Sequence, residues 1–261
     1  MSFFIDTHAH LYLPEFDADR DKVVEAALHR GVEKIFLPNI DSASIGPVND
    51  LAGRFPDVCY PMMGLHPTAV KEHYQDELDQ IEKELEHGRY YGIGEIGIDL
   101  YWDKTHIRQQ YDAFARQLDL SLRYQLPVII HARESFNEIL EILEGYHNKG
   151  LKGIFHAFTG DRTVAEQVTG MGFLLGIGGI ITYNKSHLPE VVLHTPLEYL
   201  VLETDAPYLS PVPFRGKRNE SSYIHYIAEA LQRIKNISLE EIAGVTTQNV
   251  LRIFSLDNAR K

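Results

Sequence analysis

Residues 3–10, Phe3-Phe4-Ile5-Asp6-Thr7-His8-Ala9-His10, set a short apolar run directly against a cluster of polar, metal-binding side-chain types. The same grammar recurs along the chain. Apolar runs appear at Lys34-Ile35-Phe36-Leu37, at Val58-Cys59-Tyr60 with Met62-Met63, and at Tyr90-Tyr91-Gly92-Ile93-Gly94. They continue at Val128-Ile129-Ile130, Gly153-Ile154-Phe155, Phe173-Leu174-Leu175-Gly176-Ile177 and Tyr199-Leu200-Val201-Leu202. These eight runs are nearly continuous rather than alternating, the pattern of parallel strands buried on both faces. Longer polar intervals with helical spacing separate them. Helices are expected over 17–29, 106–124, 135–143 and 164–168, and after the last strand over 221–235, 238–244 and 246–254. Eight strand-and-connection units predict an α/β fold, a single (β/α)8 TIM barrel covering residues 1–261. A doubly wound open sheet is the alternative.

The totals agree with that reading. A chain of 261 residues is ordinary for one such barrel, and 44% hydrophobic with 24% charged residues excludes bulk disorder. With 25 basic and 37 acidic residues, the net charge is −12, which argues against gripping long duplexes through a broad basic surface. A local site holding cations is still compatible with a polyanion. Cys59 is the only cysteine, so no intrachain disulfide can form. Without an N-terminal apolar core for a signal peptide or a run long enough to span a bilayer, the chain is expected to be cytoplasmic, with no membrane role.

In barrels of this kind the chemistry lies at the C-terminal ends of the strands. The residues that follow the runs are therefore informative. They are His8 and His10 after strand one, His66 after strand three, Glu95 after strand four, His131 and Arg133 after strand five, His156 after strand six, and Asp205 after strand eight. His8 and His10 are two apart, so an extended backbone turns both imidazoles to one side. Taken singly, each residue has an ordinary structural alternative: a polar strand end, a hydrogen-bonded core histidine, a turn cap. Together, four histidines (His8, His10, His131, His156) and two carboxylates (Glu95, Asp205) fit a two-metal hydrolytic site. A carboxylate such as Glu95 can bridge two cations with its two oxygens. No dinucleotide-binding glycine motif or P-loop is present, and Gly176-Ile177-Gly178-Gly179 reads as a tight turn.

The motifs, in order, are Phe4-Ile5-Asp6-Thr7-His8-Ala9-His10-Leu11, Gly64-Leu65-His66-Pro67, Gly94-Glu95-Ile96-Gly97-Ile98-Asp99 and His131-Ala132-Arg133. They continue with His156-Ala157-Phe158-Thr159-Gly160, Glu203-Thr204-Asp205-Ala206-Pro207 and Thr247-Gln248-Asn249-Val250-Leu251-Arg252-Ile253-Phe254. In this the chain resembles the TatD-related DNase family, metal-dependent hydrolases of the amidohydrolase-like barrel group. The resemblance implies ligation of one ion by His8, His10 and Asp205 and of a second by His131 and His156, with Glu95 bridging. It implies a deoxyribonuclease acting on DNA ends or single strands, with DNA as substrate and no obligate protein partner. The alternative is an esterase or amidase on the same two-metal site, such as a D-aminoacyl-tRNA deacylase; a non-catalytic metal-stabilised protein is a third reading.

The histidine-rich set favours zinc, with magnesium or manganese as alternatives. Glu95 and Asp205 are the expected catalytic carboxylates, with Asp205 orienting a water and taking its proton. His66 and Arg133 are expected at the substrate: His66 as a hydrogen-bond donor and Arg133 as a fork onto phosphate, or else paired with Glu203 or another rim carboxylate. Phe158 is expected either to stack on a base or to pack in the rim. Arg162, Arg215, Lys217 and Arg218 are expected to add positive charge around the cleft.

Overall fold

The computed structural model describes residues 3–256. Among the described residues there are eight parallel strands: β1 (Phe4–Asp6), β2 (Val32–Leu37), β3 (Cys59–Pro61), β4 (Ile93–Asp99), β5 (Val128–Arg133), β6 (Gly153–Phe155), β7 (Leu174–Ile177) and β8 (Leu200–Leu202). Regular pairing groups them as β1-β2-β3 and β4-β5-β6-β7-β8. Two isolated parallel bridges, Met63 with Ile93 and Ala9 with Ala206, join the groups into a closed barrel. The first seam carries Met63 N–H to Gly92 O and Gly94 N–H to Met63 O; the second carries Thr7 N–H to Leu202 O and His10 N–H to Ala206 O. Asp6 clamps that second seam by accepting from the Thr204 amide at 2.9 Å and its hydroxyl at 2.6 Å. Burial pushes the Asp6 carboxyl up to about 7, against the hydrogen bonds it accepts. Closure fits the expected barrel and excludes the open sheet.

The helices are α1 (Arg20–His29), α2 (Ile45–Arg54), α3 (Tyr74–His87), α4 (Ile107–Tyr124), α5 (Phe136–Glu144), α6 (Arg162–Gly170), α7 (Leu188–His194), α8 (Ile224–Lys235) and α9 (Leu239–Ile253). The two segments expected at 238–244 and 246–254 are one continuous helix, α9. Ser238 starts it by accepting from the Glu241 amide, and Gly244 passes through it without a break. Helices α2, α3 and α7 also fill intervals where no helix was expected.

Side-chain alternation along the strands explains how the core and the site share one interior. Ile5, Phe36, Met62, Ile129, Ile154, Leu174 and Val201 form one buried apolar cluster with Val250, Ile253 and Phe254 of α9. The Phe36 and Phe254 rings stack at 3.9 Å, so α9 plugs the floor of the barrel. This accounts for the C-terminal Thr247–Phe254 motif without any chemistry. Two residues beyond Ile129, Ile154 and Val201 on the same strand faces come His131, His156 and Glu203. Apolar side chains thus fill the bottom of the barrel, and polar ones crowd its top.

Candidate metal centre

The structure brings all six expected ligands together at the C-terminal rim, around the carboxylate of Glu95. Glu95 Oε2 lies 3.1 Å from His8 Nε2 and 3.5 Å from His10 Nε2. Asp205 Oδ1 lies 3.7 and 3.6 Å from the same two nitrogens, which are themselves 3.1 Å apart. A tetrahedral ion with bonds of about 2.0–2.1 Å has ligand atoms roughly 3.3–3.4 Å apart. These five distances, 3.1–3.7 Å, are close to that spacing. On the other side, Glu95 Oε1 lies 2.8 Å from His131 Nδ1, 3.1 Å from His156 Nε2 and 3.2 Å from His66 Nε2.

Hydrogen bonds behind the imidazoles fix which nitrogen faces the centre. Tyr12 donates its hydroxyl proton to Pro38 O at 2.6 Å, so it accepts from His10 Nδ1 at 2.8 Å. His131 Nε2 donates to Asp99 Oδ2 at 2.9 Å, and His156 Nδ1 donates to Glu203 Oε1 at 3.2 Å. Each of these three rings, when neutral, turns a bare nitrogen lone pair toward the Glu95 carboxylate. Lone pair against carboxylate is repulsive unless a proton or cation lies between them, and a buried acceptor behind a ligating histidine is the usual support of a metal site. His66 is the opposite case. Its Nδ1 accepts from the Thr68 amide at 3.1 Å, so the neutral ring carries its proton on Nε2 and presents a donor to the site. His66 therefore fits the donor role expected of it better than a ligand role, although its position beside Glu95 and His131 is close enough for one.

The electrostatics follow the same arrangement. Burial alone raises the Glu95 carboxyl, but His156, His66 and His8 outweigh it and hold the group well below the usual carboxylate range. Burial lowers His8 far below an ordinary histidine, with His156 adding to the effect. Burial also lowers His131 and His156, but bonds to Asp99 and Glu95 reverse this for His131, and the charges of Glu95 and Glu203 reverse it strongly for His156. Asp205 is pushed by burial up to about 6, against the pull of His156 and His10.

Two carboxylates beyond the expected set prove central. Asp99, buried, is held down to about 2: burial opposes this, but the bonds from His131 and the Trp102 and Tyr101 amides prevail. Its signal was in the sequence, because Glu95, Gly97 and Asp99 alternate onto one face of β4. Glu203, fully buried, accepts from the Ala157 amide at 2.5 Å as well as from His156. Its other oxygen, Oε2, is buried with no hydrogen-bond partner among the described residues. Gly176 makes room for it: a Cβ there would lie 2.2 Å from Oε2.

Other expectations are corrected. For Arg133, the alternative of a pair with Glu203 falls away, because Glu203 is sealed in the interior. Its guanidinium instead lies over the rings of Tyr101, 4.1 Å from the centroid, and Trp102, at 5.4 Å. Phe158 is buried beside Phe136 and cannot reach a base. Arg218 is engaged by both oxygens of Asp19 at 2.7 Å and by Glu220, and Arg162 pairs with Glu166. Arg133, Arg215 and Lys217 remain as cations lining the cleft, which opens over the centre with a volume of about 1020 Å³. No helix among the described residues is long and apolar enough to cross a membrane.

Comparison with known proteins agrees with this geometry. The family model described as "TatD related DNase" matches residues 5–255. The "uncharacterized metal-dependent hydrolase" YabD of Bacillus subtilis is 37% identical over 253 residues, covering 97% of this chain and 99% of YabD. The crystal structure of YjjV, a TatD homolog from Escherichia coli, superimposes with a TM-score of 0.91 at 31% identity, covering 97% and 98% of the two chains. A TatD-family hydrolase from Entamoeba histolytica superimposes with a TM-score of 0.85 at 25% identity, over 97% and 98%. Whole-length similarity, a closed parallel barrel and a rim of histidines and carboxylates together place the chain in the TatD-related DNase family of metal-dependent hydrolases.

Proposed function

We propose that the chain hydrolyses phosphodiester bonds of DNA, at ends or in single strands, in the cleft above Glu95. The observation that carries this reading is the pairing of each Glu95 oxygen with imidazole nitrogens whose protons are fixed on their far sides. One divalent cation would be held by His8, His10 and Asp205 and a second by His131 and His156, with Glu95 shared between them. Bound there, the pair supplies an acidified water and neutralises charge on a phosphoryl oxygen. Nitrogen-rich seats of this kind suit zinc or another transition metal more than magnesium.

The chain's own groups supply the rest. Asp205, at the open edge of that site and 3.6–3.7 Å from His10 and His8, is placed to orient the attacking water and take its proton. His66 offers its Nε2–H to a substrate oxygen. Arg133, Arg215 and Lys217 line the same cleft and can meet the phosphates on either side of the scissile bond. Because the chain carries a net charge of −12, contact with the polyanion is confined to this pocket and to a few nucleotides.

The test uses chelator-stripped protein reloaded with zinc, manganese or magnesium in turn. It is assayed on labelled single-stranded, linear duplex and closed circular DNA, and on a D-aminoacyl-tRNA. Metal-restored release of nucleotides from single strands or ends supports the proposal. Cleavage of the aminoacyl ester with no phosphodiester cleavage under any metal contradicts it.

A further inference from the structure

We infer that Tyr101, Trp102 and Arg133 form a stacking platform for an unpaired nucleobase of the strand whose phosphate occupies the cleft; this rests on the nucleic-acid reading proposed above. The loop after β4 places two large aromatic rings in solvent. Trp102 is 67% exposed and Tyr101 48% exposed. Neither ring serves the core, and adjacent exposed aromatics at the mouth of a cleft mark a binding surface. Trp102 and Arg133 line the same cleft as His131 and Asp205. The two rings meet edge to face at 4.9 Å, and the Arg133 guanidinium lies against both.

The platform is fixed in position. Asp99 Oδ1 accepts from the Tyr101 and Trp102 amides, each at 2.9 Å, while Oδ2 of the same carboxylate accepts from His131. Farther along the loop, Asp103 pairs with Lys71 at 3.0 Å and accepts from the Thr105 amide at 2.9 Å. One buried carboxylate therefore sets the position of the rings relative to the metal centre. A ligand matched to this arrangement has a flat π face for the rings, and next to it a negative charge for Arg133. A nucleotide has both. Stacking on aromatic side chains tolerates any base, because every base has a π face. In a duplex those faces are covered by neighbouring pairs, so the platform selects single strands or frayed ends.

Trp102 is the only tryptophan of the chain, so its emission reports this surface alone. The experiment titrates metal-loaded protein with a short oligothymidylate bearing uncleavable phosphorothioate links, and in parallel with an abasic strand of equal length and charge. The expected result is quenching of Trp102 emission by the base-bearing strand only, with the abasic strand binding roughly tenfold or more weakly. On cleavable single-stranded DNA, Trp102→Ala is expected to raise KM roughly ten- to a hundredfold, with kcat changed far less. Trp102→Phe should recover most of the loss, and Leu193→Ala, an exposed apolar position on α7, should change nothing. Equal affinity for the two strands, unchanged emission, or an unchanged KM in a folded Trp102→Ala protein overturns the platform, even if DNA is hydrolysed. Base-dependent quenching supports it even if no phosphodiester is cleaved, in which case only the nuclease reading fails.

Discussion

Asp99 accepts the Nε2–H of His131 at 2.9 Å and so turns the other imidazole nitrogen, Nδ1, to within 2.8 Å of Glu95. The same carboxylate holds the Tyr101 and Trp102 amides. Orientation of the His131 ring and placement of the loop that carries Tyr101 and Trp102 thus depend on one buried group. Asp99→Asn keeps the shape but removes the charge and can turn an amide donor toward His131. The expected outcome is a fall of roughly ten- to a hundredfold in metal affinity or turnover. Metal titration and steady-state kinetics on the same protein check it; an unchanged metal affinity together with unchanged turnover would remove Asp99 from the centre.

Metal uptake is expected to release protons. In the metal-free protein, burial depresses His131 and His156, but their carboxylate partners reverse this and raise both above the ordinary histidine value. A raised histidine stays protonated to higher pH, and only the neutral ring can ligate. Affinity should therefore fall on acidification, beginning above pH 6.5, where an ordinary histidine titrates. Calorimetry at pH 7 in buffers of different ionisation enthalpy measures the proton count. Zero released protons at that pH would contradict the assignment of these two rings as ligands.

Two glycine substitutions should behave in opposite ways. A Cβ at Gly176 would lie 2.2 Å from the buried Glu203 carboxylate. Gly176→Ala must displace Glu203 and, through it, His156, destabilising the fold by about 1–3 kcal/mol and lowering turnover. Gly244 lies inside α9, and outside the helix's own backbone no atom of the described residues comes within 4 Å of its Cβ position. Gly244→Ala should leave turnover alone and stabilise by up to about 1 kcal/mol. Thermal melts of the two variants, with activity measured alongside, separate these cases.

Arg133→Ala is expected to raise KM for any phosphate-bearing strand, abasic ones included, more than it lowers kcat. Its guanidinium faces the cleft without being a candidate ligand. A large fall in kcat at unchanged KM would instead assign Arg133 to charge stabilisation in the transition state.

Most of the barrel was legible because parallel strands buried on both faces leave unbroken apolar runs, and because the chemistry must sit where those runs end. His8, His10, Glu95, His131, His156 and Asp205 follow from that rule. What escaped depends on long-range contacts that leave no local pattern. Nothing near Arg133 in sequence says that its partners are Tyr101 and Trp102, more than thirty residues earlier; they meet because β4 and β5 pair in register from Asp99 to Arg133. Phe158 reads equally well as rim or core, and packing against Phe136 decided the matter. Glu203 lies in a quoted motif, but its role needs His156 and Gly176 beside it. Strand β4 shows a tertiary demand that sequence did carry: Gly97 sits at φ +143, where a Cβ would lie 2.0 Å from His131 O.

The central claim is a two-cation centre bridged by Glu95. Its most direct test is metal content per chain, by elemental analysis of the protein loaded with zinc and freed of excess, compared with Glu95→Gln at matched fold by circular dichroism. The account predicts two bound ions per chain in the parent protein, at most one in Glu95→Gln, and turnover reduced roughly a hundredfold or more in the variant. A folded Glu95→Gln protein that keeps both ions and full turnover, or a fully active parent that binds none, would contradict it.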